Sequence, residues 1–247
     1  MRNLYLGIKF SFAYFSRIPI SFKSSDDLSA PALLNIMLLG LPWVGLVLGL
    51  ITIAVASLLS PLGWYGAMIA GVIYFMLYGF LHTEAIIDVF DALYASHAGK
   101  DAHTIIKEPT VGAIGVLYGV AFVLLKLSGM VWLFSHGILA EFVAVVIISR
   151  LSLLTLVILH DFNSTFLVQL KEALDYWYVM LIFVIFVFVG SYITLYFIPL
   201  MVIGLIVGFL ISLYFASQLR FVNGDVLGAT LEGVEIVLLV VVALLMS

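Results

Sequence analysis

The chain has 247 residues, 65% of them hydrophobic and only 10% charged, with a formal net charge of −4. Soluble domains are about 45–50% apolar, so this composition excludes a water-soluble globule, and so small a charge gives no sign of a nucleic-acid partner. Without cysteine there are no disulfides, thiolate metal sites or cysteine nucleophiles. The apolar excess runs along the whole length, which predicts an all-α integral membrane protein, one polytopic bundle over residues 1–247 with no added soluble domain.

Near the start, Leu4, Ile8, Phe12 and Phe15 recur at helical spacing, and Arg2, Lys9, Arg17 and Lys23 supply cations. This pattern predicts an interfacial amphipathic helix lying on the membrane. A short first span bounded by charge is the alternative. Lys9 and Arg17 interrupt the apolar run and no small-residue cleavage site follows, so the segment does not read as a cleaved signal.

Seven spans follow in order. Residues 36–59 carry no charge and are long enough to cross a bilayer. The run 60–63, Ser-Pro-Leu-Gly, turns the chain, and 64–81 crosses back. The third and fourth spans are 111–134 and 138–159, joined by Ser135, His136 and Gly137. The run 177–217 would extend roughly 60 Å as one helix, about twice the hydrocarbon thickness, so it is split near Pro199. The last span, 231–247, is the shortest.

The cations orient this arrangement. Arg2, Lys9, Arg17, Lys23, Lys100, Lys107, Lys171 and Arg220 all fall in one set of loops, and the opposite set has no Lys or Arg. That segregation puts the first set, and the N-terminus, in the cytoplasm. The polar chemistry lies in the same loops, so function is expected at the cytoplasmic face. Lys126 and Arg150 fall inside spans and should face the interior with a partner. For Arg150 the candidates are a phosphate of the substrate or an acid such as Glu141.

Three clusters carry candidate chemistry. Glu84, Asp88 and Asp91 stand at i, i+4 and i+7, one face of a helix, with His82 beside them. Like charges at a membrane edge repel one another, and a hard divalent cation offsets that cost. A solvated acidic face is the plainer alternative; a tetrahedral zinc site is disfavoured because His97 and His103 lack tight spacing to His82. The second cluster runs from Asn223 to Glu235. Asp225, Gly228, Glu232 and Glu235 share a face, and Gly224, Gly228 and Gly233 allow close approach of a ligand or another backbone. Glycine-mediated packing with outward acids is the alternative. The third is Lys107-Glu108-Pro109-Thr110-Val111-Gly112, where a helix start with Gly112 and a nearby Lys107 can hold a phosphate.

These blocks, in this order, resemble the cobalamin-5′-phosphate synthase (adenosylcobinamide-GDP ribazoletransferase) family. Phe15-Ser16-Arg17-Ile18-Pro19 resembles its opening segment. The stretch Gly79 to Ala92 is similar to its Gly-x-His-x-Asp-Gly-x-x-Asp-x-x-Asp-Gly block, with the glycine one place early, Glu84 for aspartate, and Ala85 and Ala92 for glycines. Ile106 to Gly115 resembles its Met-Lys-Asp-x-x-[Ile/Val]-Gly-x-x-Gly block, and Gly224 to Glu235 meets its closing Gly-Asp-x-x-Gly-Ala-x-x-Glu-x-x-Glu in full. The arginine- and glycine-rich stretch usual after the fourth span is replaced by His160-Asp161-Phe162-Asn163-Ser164-Thr165.

The resemblance implies transfer of cobinamide phosphate from adenosylcobinamide-GDP to α-ribazole or its 5′-phosphate in a bacterial or archaeal cytoplasmic membrane. Phosphoryl transfer needs charge neutralisation and alignment. Glu84, Asp88, Asp91 and Asp225 are therefore expected to hold Mg²⁺ on the diphosphate. His82, Glu232 and Glu235 are candidate bases, alongside catalytic Asp88 and Asp91. Arg17, Lys107, Gly112, Asn223, Gly224 and Arg150 are candidate substrate-binding residues. A homo-oligomer is compatible with the sequence. Two other readings stay open: a CDP-alcohol phosphotransferase, whose Asp-x-x-Asp-Gly-x-x-Ala-Arg is faintly echoed from Asp88 to Ser96, and a cation-coupled transporter using the intramembrane charges.

Overall fold

The computed structural model describes residues 2–107, 110–162 and 164–247, and among them all regular structure is helical. The amphipathic opening segment forms α1 (Arg2–Phe15), which packs on α2 (Pro31–Leu39) and α3 (Leu41–Leu58). Then come α4 (Trp64–Tyr78), α5 (Leu81–His97) and the one-turn α6 (Ala102–Ile105). The remainder is α7 (Ala113–Ser135), α8 (Leu139–Leu159), α9 (Thr165–Ala173), α10 (Tyr176–Ile193), α11 (Phe197–Leu219) and α12 (Gly224–Met246). Glu108 and Pro109, expected at the start of the third span, and Asn163 lie outside the described residues.

Six candidate spans, or seven with the bent pair α4–α5, are long and apolar enough to cross a membrane. The chain is a multi-pass membrane protein. Large apolar side chains such as Leu117, Leu124, Phe188 and Leu210 stand exposed on its outer helices. Water would penalise such a surface, and lipid does not. At the centre is α8, buried over most of its length and packed by α3, α10, α11 and α12.

Several boundaries differ from the sequence reading, each for a local reason. The first span starts at Pro31, whose ring suits a helical first turn, and breaks at Gly40, where a Cβ would overlap the Ser11 side chain of α1. The long apolar run divides at Thr194–Tyr196, and Pro199 sits in the first turn of α11, where no intrahelical N–H is needed. The last helix is not the shortest. It starts at Gly224 because Asn223 Oδ1 accepts from Val226 N at 3.0 Å and caps it. Between His160 and Tyr176, α9 buries Leu167 and Leu170 against the bundle.

The second crossing ends early, at Tyr78. Gly79 (φ 68°) and Phe80 (φ 57°) are both left-handed, and α5 leaves at 80° to α4. Glycine takes that conformation freely, whereas a bulky side chain does so against steric cost. The Arg17 side chain fills the place of a Gly79 Cβ, and Arg17 N donates to Leu77 O at 2.7 Å, so the corner is clamped from the end of α1.

Inside the bundle, four ionised side chains meet. Lys126 of α7 contacts Glu232 at 2.7 Å and Glu235 at 2.6 Å, both on α12, and Arg150 of α8 pairs with Glu235. From α4, Tyr78 donates to Glu232 at 2.8 Å and Tyr74 to Glu235 at 3.1 Å; Ser149 donates to Glu235 at 2.8 Å. Lys126 is 0% exposed, Arg150 3% and each glutamate 1%. The set is neutral in total, the condition under which charge is tolerated in hydrocarbon. Arg150 thus takes Glu235 as its partner, while Glu141 accepts from Thr194 at 2.9 Å.

Removing one member leaves an uncompensated charge, at a cost of about 3–5 kcal/mol. Lys126→Met should therefore lower stability by that order in detergent unfolding followed by circular dichroism. Adding Glu232→Gln should recover part of the loss; a double variant less stable than the single one would contradict the pairing.

Candidate functional site

The acidic helix α5 lies between α7 and α12 at the end of the bundle where the expected cytoplasmic loops gather. Two features fix its position. On one side Ala85 faces Gly228 of α12, where an added Cβ would stand only 2.9 Å from that of Ala85. On the other, Asp91 accepts from Gly112 N at 2.6 Å and from Gly115 N at 2.7 Å. These are free N–H groups of the first turn of α7, so a carboxylate from another helix caps it. Cβ atoms on Gly112 or Gly115 would overlap that carboxylate, which explains glycine at both.

This arrangement revises two expectations. The α7 start was a candidate phosphate cradle, but the N–H of Gly112 is already bonded to Asp91. Asp91 itself, expected as metal ligand and catalytic acid, directs both oxygens to the α7 backbone. Lys107 bonds His103 Nε2 at 2.7 Å, and the His103 ring packs on Phe221 at 5.1 Å, just before Asn223. Arg17 lies along the Gly79 corner. Asn223 spends Oδ1 on the α12 cap and its amide on Asp225, at 2.7 Å. Gly224 stands exposed, with open space where a side chain would be.

The two acidic stretches nevertheless meet. Half-buried Asp88 lies within charge–charge reach of Asp225 on α12 and of Glu84 and Asp91 on its own helix. Asp225 is likewise within reach of Glu84. Among the described residues no cation pairs with Glu84, Asp88 or Asp225, and no three His, Asp or Glu side chains gather closely enough to hold a metal ion unaided. The expected four-carboxylate cage is not formed by the chain alone. The donor set is all oxygen, and Mg²⁺ is commonly held by one or two carboxylates plus substrate phosphates. Carboxylates within charge–charge reach of one another and without a paired cation fit that ion.

Beside Asp225 is a cavity of about 150 Å³. Its walls come from α1, α2, α3, α5, α8, α9 and α12, and its polar groups are Tyr14, His82 and Asp225. His82 is 6% exposed; its ring stacks on Tyr78 at 5.8 Å, and no described residue hydrogen-bonds its nitrogens. Partial burial, and then the Asp225 charge, hold the Tyr14 phenol above its ordinary range. Tyr14, Phe166 and Leu170 escaped the sequence reading. Their only signal was amphipathic spacing in two segments, which does not say what the apolar face covers.

Glu232 and Glu235 lie in the ion-pair network, seven and ten residues along α12 from Asp225, roughly 10–15 Å. Their oxygens are engaged by Lys126, Arg150, Ser149 and the two tyrosines, and the Arg150 guanidinium is engaged by Glu235. The expected roles of these three residues at the reacting groups give way to an interior one.

Residues 7–243 match the family described as cobalamin-5-phosphate synthase. A curated adenosylcobinamide-GDP ribazoletransferase of Clostridium perfringens is 27% identical over 95% of this chain and 96% of its own. One from Brevibacillus brevis is 25% identical over 93% of this chain and 94% of its own, and one from Chlorobium chlorochromatii 31% over 44% of each. No solved structure matches the chain.

Hydrogen bonds to a charged group contribute about 1.5–3 kcal/mol. Asp91→Ala should lower the unfolding midpoint accordingly, and Gly115→Ala, which crowds the same carboxylate, should shift it in the same direction. Full stability in both variants would remove the interhelical cap from this account.

Proposed function

Because the chain belongs to the cobalamin-5-phosphate synthase family, we propose that it transfers cobinamide phosphate from adenosylcobinamide-GDP to α-ribazole or its 5′-phosphate. The products are adenosylcobalamin or its 5′-phosphate and GMP. The observation that carries the reading is the approach of Asp225 to Asp88 and Glu84 across two helices, beside a cavity holding His82.

In this reading Asp88 and Asp225, with Glu84, would hold Mg²⁺, which would supply charge neutralisation at the donor diphosphate. Asp91 keeps α5 against α7 and so holds Asp88 in place. His82, which lines the same cavity as Asp225, is assigned as the base that takes the ribose hydroxyl proton as that oxygen attacks phosphorus. Arg17, at the Gly79 corner, and Lys107, beside His103, are the candidate cations for the donor's phosphates. The segregation of loop cations supports a cytoplasmic N-terminus and a site on the cytoplasmic side of a bacterial or archaeal inner membrane. A transporter is the weaker reading, because Lys126 and Arg150 are already paired with Glu232 and Glu235 inside the bundle.

The test is GMP release by purified protein given adenosylcobinamide-GDP and α-ribazole. EDTA should abolish turnover and Mg²⁺ should restore it. Asp88→Asn and Asp225→Asn, with unchanged helix content, should each lose about 10²-fold or more in kcat. Near-normal rates in either would overturn the assignment of that carboxylate. Turnover of CDP-diacylglycerol with an alcohol, without corrinoid activity, would replace the reading with the CDP-alcohol one.

A further inference from the structure

The cavity beside Asp225 has a character the phosphate chemistry does not require. Away from Tyr14, His82 and Asp225 its walls are apolar: Leu41 of α3, Leu153 of α8, and Phe166, Leu167 and Leu170 of α9. Such a surface rejects a diphosphate, since a charge placed there loses its water without gaining a partner. Its volume of about 150 Å³ is far below that of a corrinoid. An apolar cavity of about 150 Å³ is known to take one benzene ring. The exposed ring of Tyr14 and the half-buried ring of Phe166, both lining the cavity beside Asp225, lie with centroids 6.0 Å apart, tilted 38°. A flat aromatic group is the chemistry that suits this shape and lining.

We propose that this cavity seats the aromatic base of the acceptor nucleoside and so sets which nucleosides are accepted. The proposal rests on the transferase reading above and names the acceptor's half of that site. The cavity's polar groups support it. His82 is buried, has no hydrogen bond among the described residues, and lines the same space as Asp225. A base held among Leu153, Leu167 and Leu170 leaves its ribose on the α5–α12 wall, where His82 and Asp225 are. The apolar part thus supplies affinity, and the polar wall receives the hydroxyl that reacts. Two of its walls, α1 and α9, are amphipathic helices outside the spans, so Leu167 and Leu170 can vary without disturbing the carboxylates.

The experiment measures GMP release by the full-length protein in nanodiscs, with α-ribazole varied at saturating donor. Leu167→Trp fills the cavity from α9. It should raise the KM for α-ribazole about tenfold or more while leaving the KM for the donor unchanged, the mark of a contact made only with the acceptor. Leu167→Ala enlarges the cavity and should shift preference toward nucleosides with a larger fused-ring base. Equilibrium dialysis with labelled α-ribazole gives a second reading without turnover: wild type should bind and Leu167→Trp should not. An unchanged α-ribazole KM in a folded Leu167→Trp, or an unchanged base preference in Leu167→Ala, overturns the proposal. If wild type binds α-ribazole in a Leu167-dependent way yet releases no GMP, the transferase reading fails and the cavity assignment stands.

Discussion

Charge inside hydrocarbon must be paired, and that constraint organises this molecule. Lys126, Arg150, Glu232 and Glu235 bring α7, α8 and α12 together, and Tyr74 and Tyr78 add α4. Because Glu232 is seven residues from Asp225, two helical turns, both project from nearly the same side of α12. Holding Glu232 on Lys126 therefore sets the rotation of the helix, and with it the direction in which Asp225 points. The interior network is remote from the rim, yet the rim depends on it. Isolated surface pairs such as Lys171–Asp161, with the aspartate fully in solvent, impose no comparable constraint.

A second constraint comes from small residues. Ala85 and Gly228 let α5 and α12 approach closely, and Gly112 and Gly115 let Asp91 reach the α7 backbone. In a bilayer, where apolar side chains gain little by leaving lipid, close backbone approach and interhelical hydrogen bonds supply the adhesion. The acidic helix is thus held on both flanks by contacts that larger side chains would prevent.

Much of this was legible in the sequence. Span number, the amphipathic first helix, the shared face of Glu84, Asp88 and Asp91, and the interior position of Lys126 and Arg150 follow from periodicity, length and the cost of unpaired charge. Boundaries were less legible, because they are set by tertiary neighbours. Gly40 breaks a helix where Ser11 of α1 crosses it, and an apolar run hides such a crossing. Pro199 reads as a breaker but is harmless one turn into a helix, so the true break lies before it. The partners of Asp91 and of the two glutamates were illegible for one reason: spacing places a carboxylate on a face and does not say whether a backbone N–H or an ammonium already occupies it. The cavity was illegible, since its walls come from segments far apart in the chain.

The Gly79–Phe80 corner has a geometric consequence. Were α5 collinear with α4, the seven residues from Glu84 to Asp91 would advance roughly 10 Å along the α4 axis. With α5 turned by 80°, the same stretch advances only about a sixth of that along the axis and runs sideways instead. The three acids therefore run across the end of α4 rather than onward along its axis, and the left-handed pair that makes the turn sets that direction.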